Sequence, residues 1–316
     1  MTLISEKSQE KLKLDLYDKK LIFYLSQDSR TPLNRLAHYL SISPQRTHYK
    51  IQRLLDSILD PAPFFNYPLL GIPSYIIFTG HLSSDTVKKL IEESGEIYFL
   101  MQALGKYNSV LNVVTKDIER FCSTYLPDQI LEIYPIMHSY ADDYNPFSLN
   151  ISPQPLMGDK PLPLAKKDYI LLEYLGRFPL EPIQTIHEKT KIDVKTIKKK
   201  IGLYKKSNII QKFRYGVNIF KMGFFVYTLK IDVSYVKKKE ILKYLRSNNY
   251  SGFVFETHSG FIMHFLPPSH NEVFLFIEGL YKIEPNAAVE TVQNTEIFRI
   301  SMVPKSALDY FKSRSV

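Results

Sequence analysis

The 316-residue sequence contains a single cysteine, Cys122. One thiol excludes an intrachain disulfide and any multi-cysteine zinc cluster. Its place in the helical pattern Ile118, Phe121, Cys122, Tyr125 makes it a core thiol rather than a reactive one. No apolar run approaches the ~18 residues that a membrane helix requires, and the opening MTLISEKSQEKLKLD has no hydrophobic signal core. Both absences lead to the expectation of a cytoplasmic protein with no membrane partner. The signatures GxGxxG, P-loop, HExxH, GxSxG and CxxC are missing as well. The chain is therefore expected not to be an enzyme, and to need no catalytic residue, cofactor or metal.

What is present is a globular composition, 45% hydrophobic and 23% charged, long enough for two or more domains. The net charge of +9 suggests an anionic partner, and its distribution says more. Residues 194–214 hold eight basic side chains (Lys195, Lys198, Lys199, Lys200, Lys205, Lys206, Lys212 and Arg214) and no acidic one. A solvated lysine face would have the same composition, so the position of this run decides its reading.

Residues 31–55, TPLNRLAHYLSISPQRTHYKIQRLL, read as two short helices joined by a tight turn, a helix-turn-helix. Thr31-Pro32 and Ser43-Pro44 each offer a capping hydroxyl followed by a residue that needs no amide partner. Leu33, Leu36, Ala37 and Leu40 share one face of the first helix, and Thr47, Ile51, Leu54 and Ile58 one face of the second. The opposite face of the second helix carries Gln45, Arg46, His48, Tyr49, Gln52 and Arg53, with Ser43 and Lys50 beside it. Long donors on one helix face suit the major groove of double-stranded DNA, where phosphates attract cations and base edges accept hydrogen bonds.

The pattern recurs at an offset of 150: Ser43 falls on Asp193, Ile42 on Ile192, Thr47 on Ile197 and Ile51 on Ile201. The basic run therefore lies on a second recognition helix and the strand after it. Lys195, Thr196, Lys198, Lys199, Lys200, Lys212 and Arg214 are the expected DNA contacts there. A wing follows each helix-turn-helix, at residues 59–70 and 209–220. Phe64 and Phe65 in the first wing are expected to pack on the next domain rather than to wedge into a minor groove.

After each wing the pattern is strand-helix-strand-strand-helix-strand. In the first copy these fall at residues 74–79, 84–94, 97–103, 109–115, 117–126 and 130–140. In the second they fall at 224–233, 236–246, 253–258, 261–266, 271–281 and 289–303. That order is the ferredoxin-like arrangement. The expected fold class is α+β, two copies of a winged helix-turn-helix followed by a ferredoxin-like βαββαβ domain. The boundaries are 1–70 and 71–142, a linker with five prolines at 143–163, then 164–222 and 223–316. The linker lets the two ferredoxin-like domains dock within one chain as a pseudo-dimer, or between chains as a homo-oligomer.

The opening LDLYDKKLIFYLSQDSR and the segment LSISPQRTHYKIQRL, with the domain order, resemble the leucine-responsive regulatory protein/AsnC family of transcription regulators. The resemblance implies a DNA-binding regulator whose ferredoxin-like domains assemble and hold a small-molecule effector. The family's Gly-x-x-Asp segment reads Gly105-Lys106-Tyr107-Asn108 in the first copy and begins at Gly260 in the second, where Met263 replaces the acid. Neither Asn108 nor Met263 can neutralise an ammonium group, so an amino-acid effector is not expected. Gly105, Tyr107, Asn108 and Gly260 remain the effector-site candidates.

Two alternatives share this fold. Siroheme decarboxylases resemble the same family, some as fused two-half chains; they need a tetrapyrrole pocket with histidine and arginine contacts. His258 and His264 flank the second copy's central hairpin, and FPLEPIQTIHEKT loosely resembles the opening of those enzymes. The other alternative is an assembly or effector-sensing module that no longer touches DNA.

Overall fold

The computed structural model describes residues 13–55, 59–141, 145, 147, 162–300 and 303–315. Ile58 and most of the linker at 143–163 lie outside the described residues. The first head consists of α1 (Leu16–Gln27), α2 (Leu33–Leu40), α3 (Pro44–Leu55) and β1 (Leu59–Phe65). Asp15 and Asp18 close the start of α1 reciprocally, each carboxylate accepting the other's backbone N–H at 2.8–3.0 Å. Ser43 caps α3 through the Arg46 N–H, as expected. Thr31 does not cap α2, because its hydroxyl donates back to the Asp28 carbonyl instead.

The first sheet unit follows as β2 (Ser74–Thr79), α4 (Ser84–Glu92), β3 (Ile97–Leu104), β4 (Ser109–Val114), α5 (Ile118–Tyr125), β5 (Ile130–Pro135) and β6 (His138–Ala141). The second head has α6 (Lys166–Arg177), α7 (Ile183–Thr190), α8 (Val194–Lys206) and β7 (Ile210–Val217). Both heads turn through a left-handed residue at the same place, Ser41 (φ 55°) and Lys191 (φ 58°). The second sheet unit is β8 (Val226–Asp232), α9 (Lys238–Ser247), β9 (Ser251–Glu256), β10 (Gly260–Phe265), α10 (His270–Ile283) and β11 (Ala288–Ile300). A last helix that the sequence pattern did not suggest, α11 (Lys305–Arg314), packs on α6 and buries Ala307 and Phe311.

The wings do not stand free. β1 and β7 pair antiparallel from Leu59 opposite Val217 to Phe65 opposite Ile210, forming one ribbon. Each head leans on the other's wing: α1 packs on β7, and Tyr215 completes the core of the first head with Leu21, Leu25, Leu36 and Leu54. Arg30 donates to the carbonyls of Pro179 (2.6 Å) and Glu181 (2.8 Å), and Lys205 pairs with Asp28 at 2.8 Å. Hydrophobic packing and charge together therefore tie the heads.

The nine remaining strands run β5-β2-β4-β3-β11-β8-β10-β9-β6. Within each unit this is the ferredoxin-like order, and the units join twice. β11 pairs with β8 through its first half and with β3 through its second. β5 pairs with β2 and β6 with β9, while the Ile136 and Met137 amides between them bond to Ser74 and Glu256. Because β5 and β6 are nearly continuous, the two ends of the order meet and the sheet closes, which removes most of its free edge. Alternation along each strand separates two layers. Ile77, Leu100 and Leu111 face α4 and α5, and Leu229, Ile231 and Met263 face α9 and α10. The other face, with Ile76, Phe78, Val110, Phe255 and Ile262, fills the interior.

One end of that interior is polar. Lys230 bridges Glu132 (2.8 Å) and Glu290 (2.9 Å), the single Tyr107 hydroxyl lies within hydrogen-bond reach of both carboxylates, and Tyr134 donates to Glu132. Burial alone would raise the pKa of Glu132, but hydrogen bonds from Lys230, Tyr107 and Tyr134 hold it well below the usual carboxylate range. The network joins the two units with no net charge, counting Lys106, which pairs with both acids.

Acid should loosen these joints. At Asp15 burial acts upward, but the Lys50 hydrogen bond and the Asp18 N–H outweigh it and lower the pKa from 3.8 to about 2. Glu132, Glu290 and Asp168 are shifted in the same direction. A carboxylate depressed on folding contributes stability above its unfolded pKa and loses it as the pH falls through the folded value. Denaturant titrations should therefore show stability level from pH 7 to about 5 and falling from pH 4 toward 2. A flat profile across pH 4–2 would contradict these ion pairs.

Candidate nucleic-acid interface

The outer face of α3 begins at Ser43 and presents Gln45, Arg46, His48, Tyr49, Gln52 and Arg53 to solvent, with Tyr49 71% exposed. It stands outward because Thr47, Lys50 and Leu54 turn toward α1 and α2. The Arg46 guanidinium lies 5.1 Å over the Tyr17 ring, which steadies it at the surface. Arg53 is half-exposed and paired with Asp18.

The outer face of α8 presents Lys195, Lys198, Lys199 and Lys206, while Ile197 and Tyr204 point inward. Asp193 caps the helix through the Thr196 N–H at 3.0 Å, so the half-buried Thr196 serves the cap with its backbone. Among the described residues, Lys195, Lys198 and Lys199 make no ion pair. Three neighbouring exposed ammonium groups without an ion pair are suited to phosphate and, being point charges, discriminate bases poorly.

Several expected contacts lie elsewhere. Lys50 is buried, its ammonium on Asp15 (2.7 Å) and Asp18 (2.9 Å). Burial lowers its pKa, and the two carboxylates more than reverse that. Lys200 is tied to Asp168, which also accepts from Tyr204 at 2.6 Å. Both lysines are thus spent inside their heads. The acid lies 32 residues before the lysine in each head, so the two pairs repeat at the same offset as the heads themselves. Arg214 is also buried, stacked 3.8 Å from the Phe64 ring centre and 4.5 Å from that of Phe253. Lys212 is half-buried on the ribbon. Pairing of β1 with β7 turns this part of the basic run toward the barrel, where Phe64 and Phe65 pack as expected.

Of the effector-site candidates, only Asn108 lines an open groove. With His81, Lys88, Glu92, Gln102 and Glu296 it bounds a space of about 410 Å³ between α4, the β3–β4 hairpin and β11. That volume falls within the range of small-molecule sites. Tyr107 is fully buried in the polar lock, and Gly260 is packed so closely on the Ile231 carbonyl that a side chain there would overlap it. Gly105, at φ 115°, is a turn residue with nothing near its Cα hydrogens. These three do not converge on the groove.

The histidines proposed for a tetrapyrrole do not converge either. His258 is exposed in a hairpin. His264 is buried in the barrel interior among Phe99, Phe253 and Phe255, and burial lowers its pKa to about 3, so it is neutral. Its Nδ1 faces the Thr228 hydroxyl at 3.2 Å, and Nε2 has no hydrogen-bond partner among the described residues. A cavity beside these rings, lined by Phe64, Tyr67, Tyr98, Asn112, Phe253 and Phe255 among others, measures about 20 Å³. That is room for a water molecule.

A winged helix-turn-helix DNA-binding family model matches residues 14–57. No curated protein matches the chain. The solved structure of siroheme decarboxylase NirDL is similar over 94% of this chain and 98% of its own, with TM-score 0.57 and 13% identity. Its co-complex with an iron-uroporphyrin III analogue gives TM-score 0.56 at 13% identity. LrpC of B. subtilis is 17% identical over 43% of this chain and 97% of its own, with TM-score 0.34. The expectation that the chain is not an enzyme is overturned here: the fold that spans it end to end is one that an enzyme also has. No helix of the described residues is long and apolar enough to cross a membrane.

Proposed function

We propose that this chain is a sequence-specific, double-stranded-DNA-binding transcription regulator of the cytoplasm, a tandem duplicate in which one polypeptide carries two unlike heads. The observation that carries this reading is the pair of outward helix faces, one rich in mixed donors and the other in unpaired lysines. Gln45, Arg46, His48 and Tyr49 read bases; Lys195, Lys198 and Lys199 anchor phosphates. A small-molecule effector would enter the groove beside Asn108. Because the heads differ, the favoured operator is asymmetric.

Selection from randomised duplexes, followed by gel-shift titration at two salt concentrations, tests this. Arg46→Ala is expected to relax preference at one base position by about 1–3 kcal/mol. Lys199→Ala should weaken all duplexes alike and reduce the log–log salt slope by about 0.9. A perfect inverted repeat, or identical behaviour of the two variants, would break the division of labour. Absence of salt-dependent binding would end the DNA reading altogether.

A second reading, tetrapyrrole decarboxylation, is favoured by the end-to-end likeness to NirDL and by Arg214 and His264 lying inside the barrel. Small-molecule sites usually measure about 300–1,000 Å³, so the 20 Å³ interior would have to open by displacing Phe64, Phe253 and their neighbours. Titration with siroheme decides it: a Soret shift lost in His264→Ala or Arg214→Ala would support this reading, and no shift would remove it.

A further inference from the structure

Among the described residues, the two most exposed large apolar side chains and three further exposed ones gather on the helix layer of the second sheet unit. Tyr235 is 90% exposed, Val236 87%, Phe274 70% and Leu275 52%, with Tyr281 at 40%. Phe274 and Leu275 stand near the N-terminal end of α10, and Tyr281 near its C-terminal end. The Ser234 hydroxyl donates to Glu284 at 2.6 Å, which sets Tyr235 and Val236 beside that same C-terminal end. Between Phe274–Leu275 and Tyr235–Val236 lie Glu278, Tyr281 and Lys282; the two charged side chains are highly exposed and, among the described residues, ion-paired only with each other, at 3.1 Å. The fold does not require these apolar residues. In the first unit the matching loop exposes His81, Ser83 and Ser84, and the matching helix exposes Glu119 and Arg120.

We propose that this face is the interface with a second copy of the chain, formed by antiparallel packing of α10 on α10 about a twofold axis. The choice of a second copy rests on self-complementarity. A twofold axis beside Leu280, in the C-terminal half of a 14-residue helix about 21 Å long, lays the Phe274–Leu275 end of each copy over the Tyr235–Val236 end of the other, with Tyr281 close to the axis. The same rotation brings Glu278 of each copy toward Lys282 of the other, exchanging the internal pair for two crossed ones. An isologous contact needs one patch that is its own complement, and a stripe with apolar ends and one charge of each sign between them meets that condition. The heads take no part in the contact, so an assembled pair carries four.

Light scattering and sedimentation of the full chain at micromolar concentration test this without any ligand. The wild type should show twice the 36.9 kDa chain mass. Phe274→Lys with Tyr235→Ser should raise the dissociation constant at least about tenfold, as loss of central aromatic anchors does, with an unchanged melting curve as the folding control. Glu278→Lys should weaken association, and adding Lys282→Glu should restore it, because the charges are exchanged and remain complementary. A wild type that sediments as one chain, or variants that associate as the wild type does, would overturn the proposal. So would a double charge swap that fails to recover association while the protein stays folded.

Discussion

Alanine at Lys195, Lys198 and Lys199 together should lower affinity for every duplex by about two to three decades at 0.1 M salt, with the loss vanishing toward 1 M. Each neutralised phosphate contributes about 0.9 to the log–log salt slope, so removing three ammonium groups should flatten it by roughly 2.7. Fold stability should not fall, because these ammonium groups are exposed and make no ion pair among the described residues. Removing three like charges from one helix relieves repulsion. The measurement is a gel-shift or anisotropy titration at four or more salt concentrations, on the favoured duplex and on an unrelated one. Sequence preference, which we assign to α3, should survive. If the triple variant keeps the wild-type slope, α8 does not contact the phosphates and the anchoring role is wrong.

Asp18→Ala should destabilise the protein by about 2–4 kcal/mol, from a lost charged hydrogen bond of about 1.5–3 kcal/mol and an opened helix cap of about 1 kcal/mol. Asp18 has a side chain 1% exposed and holds Lys50, itself 8% exposed, together with Arg53 and the Asp15 N–H. The change therefore takes from Lys50 one of its two carboxylates, leaving Asp15, and opens the capping box at once. Adding Lys50→Met should recover most of the loss, because an apolar stem in the same space needs no counter-charge. The double variant should also bind DNA as tightly as the wild type, since Lys50 faces inward. Urea denaturation read by circular dichroism gives the first comparison and titration with duplex the second. A loss below about 1 kcal/mol for Asp18→Ala, or a lower salt slope for the double variant, would return Lys50 to the surface. Asp168→Ala in the second head should behave in the same way through Lys200 and Tyr204.

These variants also mark the limit of what composition can reveal about a cation. Lys199 and Lys200 are neighbours in sequence and identical in chemistry, yet one faces solvent and the other pairs with Asp168. Helix periodicity predicts that two residues one position apart point 100° from each other. It does not say that a carboxylate 32 residues earlier waits on one of those bearings. The expectation that Arg214 contacts DNA fails for the same reason, since the antiparallel ribbon of β1 and β7 turns it inward against Phe64 and Phe253.

The sequence by itself determined what is local: the helix-turn-helix segments, the Ser43 and Asp193 caps, and two runs of strand-helix-strand-strand-helix-strand. Periods of 3.6 and 2, and the residues that start and stop them, act over a few neighbours and survive any arrangement of the whole. Only the tertiary structure decided that each wing pairs with the other and that β5 and β6 close the sheet. It also decided that Tyr107 locks two units together, that Lys50 and Arg214 are buried and that Lys200 is tied to Asp168. Those outcomes depend on contacts between residues tens to hundreds of positions apart, whose free energies come from burial and counter-charge that no short stretch of chain contains.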